Sequence, residues 1–202
     1  MEIFALILYL TKWLVLVAPV GLIVGSCCAG FLWSLEAVTQ LFWQQPWLLY
    51  LLPAAGVGIG LLYHLLGRSV EAGSNLIVDE IHEPGAGVPV RIVPLVFLGT
   101  IVTHLFGGSA GREGTALQIG GGVASAWGAC IPGLNRSERS TLLMAGVAAG
   151  FGGVFGTPFA GTIFAMEVLA IGRLSYGAVL PCLCAAVLSD WACAQWGVAH
   201  SH

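Results

Sequence analysis

Charge is what this sequence has least of. Its 202 residues include seven Lys and Arg and ten Asp and Glu, 8% of the chain, where soluble domains carry roughly 25%. So little charge cannot cover a water-facing surface, which excludes a soluble globular enzyme and a disordered tail. Grouped basic residues are missing as well, and the net charge is −3. A nucleic-acid partner is excluded on that ground, because phosphate backbones are bound by clustered Lys and Arg. The N-terminus has neither the basic stretch nor the separate small-residue cleavage site of a signal peptide. It opens with Glu2, and residues 3–10 read as an interfacial or leading segment before the first span. Period-two alternation is absent, which removes a membrane β-barrel. No long-period internal repeat is visible either. Transporters built from two inverted halves show one, so this length has room for a single half.

What is present is apolar text. Hydrophobic residues make up 57% of the chain and the mean hydropathy is +0.91. Charge-free stretches run over 13–35, 37–67, 92–111, 114–135, 140–166 and 174–189, and about 20 apolar residues cross a bilayer as a helix. The expected fold is all-α: one polytopic membrane domain over 1–202, with lipid as its solvent. Pro19, Gly25, Pro53, Pro94, Gly107, Gly108, Gly111 and Pro158 interrupt these stretches, so broken, re-entrant helices are expected. Small residues four apart recur at Gly21/Gly25, Gly56/Gly60, Gly107/Gly111, Gly146/Gly150 and Gly152/Gly156, a spacing that lets helix backbones approach closely in lipid.

Two polar passages break the pattern. Residues 68–91 hold Glu71, Asp79, Glu80 and Glu83 among Gly and Pro and read as a polar interhelix loop leading into the start of a re-entrant helix. Residues 132–140 form a smaller loop, in which Ser137 or Asn135 is placed to cap the following helix. Basic residues stand at several boundaries and do not decide orientation. Cys27, Cys28, Cys130, Cys182, Cys184 and Cys193 lie within apolar text and read as small hydrophobes. Cys182 and Cys184 have no nearby His or carboxylate, so the sequence calls for no metal and no cofactor.

The passage that carries chemistry is 107–122, GGSAGREGTALQIGGG. Arg112 and Glu113 lie side by side in an otherwise charge-free run from 92 to 135. A charge at mid-membrane costs roughly 2.5–3.5 kcal/mol on insertion scales. Gly111 and Gly114 permit sharp turns, and the apolar text resumes at Ala116, so a helix is expected to begin near Glu113 inside the protein. Such an end presents unpaired N–H groups and a partial positive charge, which suits an anion. Ionised, Glu113 would occupy those groups itself; protonated, it would leave and admit an anion, making one residue both gate and proton carrier. GSNLI at 73–77 gives a second possible helix start, with Ser74 and Asn75 supplying a hydroxyl and an amide. Glu167 is a further isolated acid, placed for an interface beside Arg173. A different chemistry is open at Gly107–Gly111, which matches the G-x-S-x-G nucleophile pattern. With His64 or His104 it would make Ser109 the nucleophile of an intramembrane serine hydrolase. Glycine is common enough here for a chance match, and His104 precedes Ser109 by five positions, poorly placed for a base.

GREGT at 111–115 resembles the G-[KR]-E-G-P signature of the CLC family of chloride channels and anion/proton antiporters. The stretch 139–167 resembles the family segment that follows, and GSNLI stands where the family has G-S-G-I-P. The resemblance runs from about 15 to 195, with the motifs in order. It implies a helical inverted-repeat fold, of which this chain would be the N-terminal half. It also implies a transporter rather than an enzyme, and homodimers in the inner (plasma) membrane with one anion pathway per subunit. Glu113 would be the gating, proton-coupled glutamate and Ser74 the serine facing the central anion, with Asn75 beside it. Backbone amides of Gly111, Arg112, Gly114 and Thr115 would line the site. Thr115 replaces the usual proline and Asn75-Leu76-Ile77 replaces glycine-isoleucine-proline, both similar to the fluoride-exporting bacterial clade. The implied cargo is therefore fluoride, or else chloride, exchanged for protons. Glu167 is followed by Val168, where many proton-coupled relatives show two acids; fluoride-type members likewise do without the pair. The family's second half, with its G-x-F-x-P motif and site tyrosine, is absent, and GVFGTP at 153–158 is in the wrong segment to replace it. A complementing C-terminal half or a non-transporting fragment are the two readings this leaves.

Overall fold

The computed structural model describes residues 2–167 and 176–198, and among them every regular element is helical. The eight α-helices are α1 (Glu2–Gln44), α2 (Leu52–Leu66), α3 (Ser74–His82), α4 (Ile92–Leu105), α5 (Arg112–Ala129), α6 (Arg136–Phe155), α7 (Pro158–Glu167) and α8 (Val179–Gln195). Three segments are long and apolar enough to cross a membrane: Ile7–Gln44, Pro46–Leu66 and Tyr176–Gln195.

The bundle is organised around α6. Every residue from 141 to 154 is buried, so this helix has no face for lipid or water. It can be surrounded because its neighbours meet it backbone to backbone. A β-carbon on Gly146 would run into the Gly120 carbonyl of α5, one on Gly150 into the Ala116 carbonyl, and one on Gly152 would lie 2.6 Å from the Ala186 carbonyl of α8. On the far side of α8, a β-carbon on Gly21 of α1 would lie 2.8 Å from the Ala185 carbonyl. The Gly21/Gly25 and Gly146/Gly150 pairs are therefore contact seams, as their spacing suggests. Gly56 and Gly60 are not: a β-carbon on either would meet nothing within 4 Å, and α2 buries no residue at all.

Three expectations need adjustment. The leading segment 3–10 is not separate but continues into α1; no Gly or Pro interrupts the chain before Pro19, and Tyr9 Oη donates to the Gly177 carbonyl at 3.0 Å. Within 68–91, residues 74–82 are helical instead of loop. Ile77 and Ile81, one turn apart, are 0% and 6% exposed, and burying that pair stabilises a short amphipathic helix with Asp79 and Glu83 outward. The sharp turn before α5 falls at Gly107, with φ 75, whereas Gly111 is extended at φ −67, ψ 142 and Gly114 is helical.

The loop before α6 behaves as its sequence suggests. Asn135 Oδ1 accepts from Glu138 N–H at 2.9 Å, and the Asn135 N–H donates to Glu138 Oε2 at 3.0 Å, a reciprocal capping box. Lys12 Nζ of α1 also donates to Glu138 Oε1. At the other end, Gly156 takes the left-handed conformation (φ 65) and Pro158 opens α7, so GVFGTP is a helix corner.

Gly146→Val should lower the unfolding free energy in detergent by about 1–3 kcal/mol or prevent folding. Gly58→Ala, on the open face of α2, should be neutral or stabilising by up to about 1 kcal/mol. Thermal unfolding midpoints of the two variants check this. The Lys12 ammonium, followed by the Asn135 N–H, holds the Glu138 carboxyl below its ordinary 4.5. A depressed folded value contributes stability present above that pH and lost as pH falls through the lowered value. Glu138→Gln should accordingly destabilise at pH 7 and make progressively less difference below about pH 4, as read from chemical denaturation across that range.

Candidate functional site

Helix starts differ sharply in how their free N–H groups are treated. An α-helix leaves its first N–H groups without intrahelical partners, and α6 answers with its Asn135–Glu138 box. Neither α3 nor α5 has a side-chain cap. The same holds for α2, α4 and α8, but the α3 and α5 starts lie against each other. The Asn75 and Leu76 N–H groups of α3 donate to the Ala72 and Gly73 carbonyls. Ser74, the first residue of α3, has its Oγ 3.4 Å from Gln118 Nε2 of α5. A β-carbon on Gly114 would lie 3.6 Å from the same hydroxyl. The fold thus brings Ser74 of the second motif to the first turns of the helix that carries the first motif, 40 residues later in the chain.

The turn from α3's predecessor into α3 depends on Gly73, at φ 57, ψ −124, a conformation that a side chain disfavours. The α3 segment and the chain after it are then held by α5 and α6. Ile77 packs against Gly121 of α5, Ser140 Oγ of α6 donates to the Ile81 carbonyl at 2.8 Å, and the Val88 N–H donates to Ser125 Oγ at 2.7 Å.

At the start of α5, Arg112 and Glu113 are exposed and Gly114 is half-buried. Glu113 folds back over its own helix start: its Oε2 would lie 2.9 Å from a β-carbon on Gly111. The carboxylate thus lies on the Gly111 side of the helix start, where the helix dipole favours negative charge. Arg112 instead faces a groove of about 760 Å³ shared with Glu36, Gln40, Trp43 and Phe155. Thr115 is only 2% exposed; its Oγ1 shares a 2.8 Å hydrogen bond with Thr100 Oγ1 of α4. The hydroxyl at the position of the family's proline thus fastens the first turn of α5 sideways.

Of the residues singled out by sequence, Ser74, Gly111, Glu113 and Gly114 fall around these two helix starts. Asn75 is exposed, with its N–H donating to the Ala72 carbonyl at 3.1 Å. Gln118 was not among them, and it is the side chain that bridges the two helices. An amide one turn after GREG in apolar text was the available signal.

The hydrolase constellation is not assembled. Ser109 is exposed in the turn before α5, and the His104 ring donates from Nδ1 to the Thr100 carbonyl at 2.9 Å. His64 Nε2 pairs with the Arg68 guanidinium at 3.0 Å. Glu167 is exposed, while Arg173 lies outside the described residues. All six cysteines are free thiols.

The sequence pattern of the voltage gated chloride channel family matches residues 55–201. A chloride/fluoride channel protein of Pseudomonas syringae pv. tomato is 52% identical over 194 residues, covering 96% of this chain and 43% of that protein. An H(+)/Cl(−) exchange transporter of Vibrio cholerae is 32% identical over 109 residues, 52% of this chain and 23% of the other. Among solved structures, a CLC-type fluoride/proton antiporter superposes with a TM-score of 0.86 at 38% identity, over 94% of this chain and 48% of that one. A slow cyanobacterial Cl−/H+ antiporter, with a TM-score of 0.73 at 22% identity over 93% of this chain and 47% of its own, shares the fold. This chain spans less than half the length of each of these proteins.

Thr115→Val should cost about 1–3 kcal/mol, because it strands the buried Thr100 hydroxyl. Replacing Thr100 and Thr115 together by Val removes donor and acceptor alike and should recover most of that loss. A double-mutant cycle of unfolding free energies in detergent measures it.

Proposed function

The chain belongs to the voltage gated chloride channel family, a family of membrane channels and transporters rather than enzymes, and on that premise we propose that it forms the N-terminal half of an anion/proton exchanger. Its site lies at the facing starts of α3 and α5. The observation that carries this reading is the pair of uncapped helix starts, joined through Ser74 and Gln118, with the Glu113 carboxylate folded over one of them. The free N–H groups at the α5 start and the positive ends of two helix dipoles attract an anion. Ser74, with Asn75 beside it, and the backbone N–H groups of Gly111, Arg112, Gly114 and Thr115 supply the donors.

Glu113 is the gate. Ionised, it competes with the anion for the α5 N–H groups; protonated, it gives them up, so each opening carries a proton. Fluoride is the favoured cargo. Thr115 and Asn75-Leu76-Ile77 depart from the chloride pattern, and the relative from Pseudomonas syringae and the antiporter of TM-score 0.86 both have fluoride in their names. A complementing C-terminal half would close the site from the open side, in a homodimeric assembly of the inner membrane.

Fluoride efflux from proteoliposomes tests the reading. Wild-type efflux should rise as pH falls, since protonation opens the gate. Glu113→Ala should abolish proton-coupled efflux, Glu113→Gln should make residual flux insensitive to pH, and Ser109→Ala should change nothing. Efflux that survives Glu113→Ala with its pH dependence intact sinks the proposal.

A further inference from the structure

Ser74 differs from the serines of α1 in what its hydroxyl does. Ser26 and Ser34 of α1 donate to the carbonyls of Leu22 and Gly30, four residues back, at 2.9 and 2.7 Å. Such a bond consumes the hydroxyl hydrogen. Ser74 opens its helix, follows the left-handed turn at Gly73, and makes no such bond; its oxygen instead accepts from Gln118 Nε2. A hydroxyl has one hydrogen to give and two lone pairs to receive. With an amide N–H seated on one lone pair, the hydrogen is directed away from Gln118. Donation into Ser74 also polarises its O–H and makes it a better donor.

Gln118 itself is well supported. It stands one turn beyond Gly114 on α5, between the buried Leu117 and Ile119. Its Nε2 would be 3.5 Å from a β-carbon on Gly73 and 3.9 Å from one on Gly114. The amide therefore occupies the seam between the two helix starts.

We propose that Gln118 is a positioning residue of the anion site, holding the Ser74 hydroxyl in the orientation that donates to the anion. This rests on the reading above that Ser74 faces the anion. Gln118 acts through Ser74, so its removal matters only while Ser74 has a hydroxyl to orient. Half-saturation is the quantity it controls, since a freely rotating hydroxyl still donates but must first be ordered.

The test is a double-mutant cycle on fluoride flux, with the protein purified in the form the cell makes and reconstituted in liposomes. Gln118→Met, of similar length but with no donor, should raise half-saturating fluoride about three- to tenfold, with maximal flux and detergent thermal midpoint near wild type. In a Ser74→Ala background the same substitution should add nothing. Gln118→Glu, of the same shape but accepting hydrogen bonds, should weaken fluoride further by turning the hydroxyl onto itself. Additive effects in the cycle overturn the proposal. So does a Gln118→Met that leaves half-saturation unchanged, or one that lowers only the thermal midpoint and maximal flux. A Gln118→Glu of wild-type half-saturation overturns it too, because the amide oxygen would then be the atom facing Ser74. Wild type that moves neither fluoride nor chloride, or flux indifferent to Glu113→Ala, is a different failure: it removes the transport reading itself.

Discussion

The contact on which the rest depends is the backbone-to-backbone approach of α5 and α6. Gly120 meets Gly146, and the Ala116 carbonyl meets Gly150, with no side chain between. Dispersion at that distance is the main force available between helices in lipid, where the solvent is as apolar as the protein. Because α6 is packed on its other sides by α8, α1 and α7, it cannot move away. The α5 axis is thereby fixed, and so is the height at which its first turn ends. Thr115 adds a lateral tie to Thr100, and Ile77 against Gly121 sets α3 alongside. A short helix of nine residues would be marginal alone; it persists because two neighbours, α5 and α6, hold it.

Where α6 begins, a capping box and a lysine satisfy the exposed groups. The starts of α2, α3, α4, α5 and α8 have no side-chain cap, and what sets α3 and α5 apart is that the fold brings their starts together. An uncapped start gives up about 1 kcal/mol that a capping side chain would supply. Two such starts at one place amount to stability withheld from the fold and available to a ligand or to the Glu113 carboxylate.

Much of this was legible in the sequence, and the exceptions have physical reasons. GREGT marked the start of α5 because Arg and Glu together in apolar text are costly, and of the two cap candidates before α6, Ser137 and Asn135, Asn135 is the one used. The four-residue glycine spacing marked true seams at Gly21/Gly25 and Gly146/Gly150. The same spacing at Gly56/Gly60 fell on an open face, since spacing records which residues share a side and not what lies opposite. The start of the helix at 74–82 was legible in GSNLI, but its extent was masked by its acids, which advertise solvent while Ile77 and Ile81 do the packing. Gln118 was missed because its importance is relational: an amide is unremarkable until a hydroxyl from 44 residues earlier stands beside it. Thr115 was visible as a departure from a motif, but its partner on α4 was not.

The complete enclosure of α6 also bears on how the protein is made. Its text, from Arg136 to Phe155, has three charges in the first turn and four glycines later on, and it is not among the segments apolar enough to cross a membrane by themselves. The strongly apolar α1 and α8 pack against it. A helix of that composition has little reason to leave the insertion machinery for lipid on its own account. It enters once neighbouring backbones are there to receive it, so the central element of the bundle is the one whose insertion must wait for its surroundings.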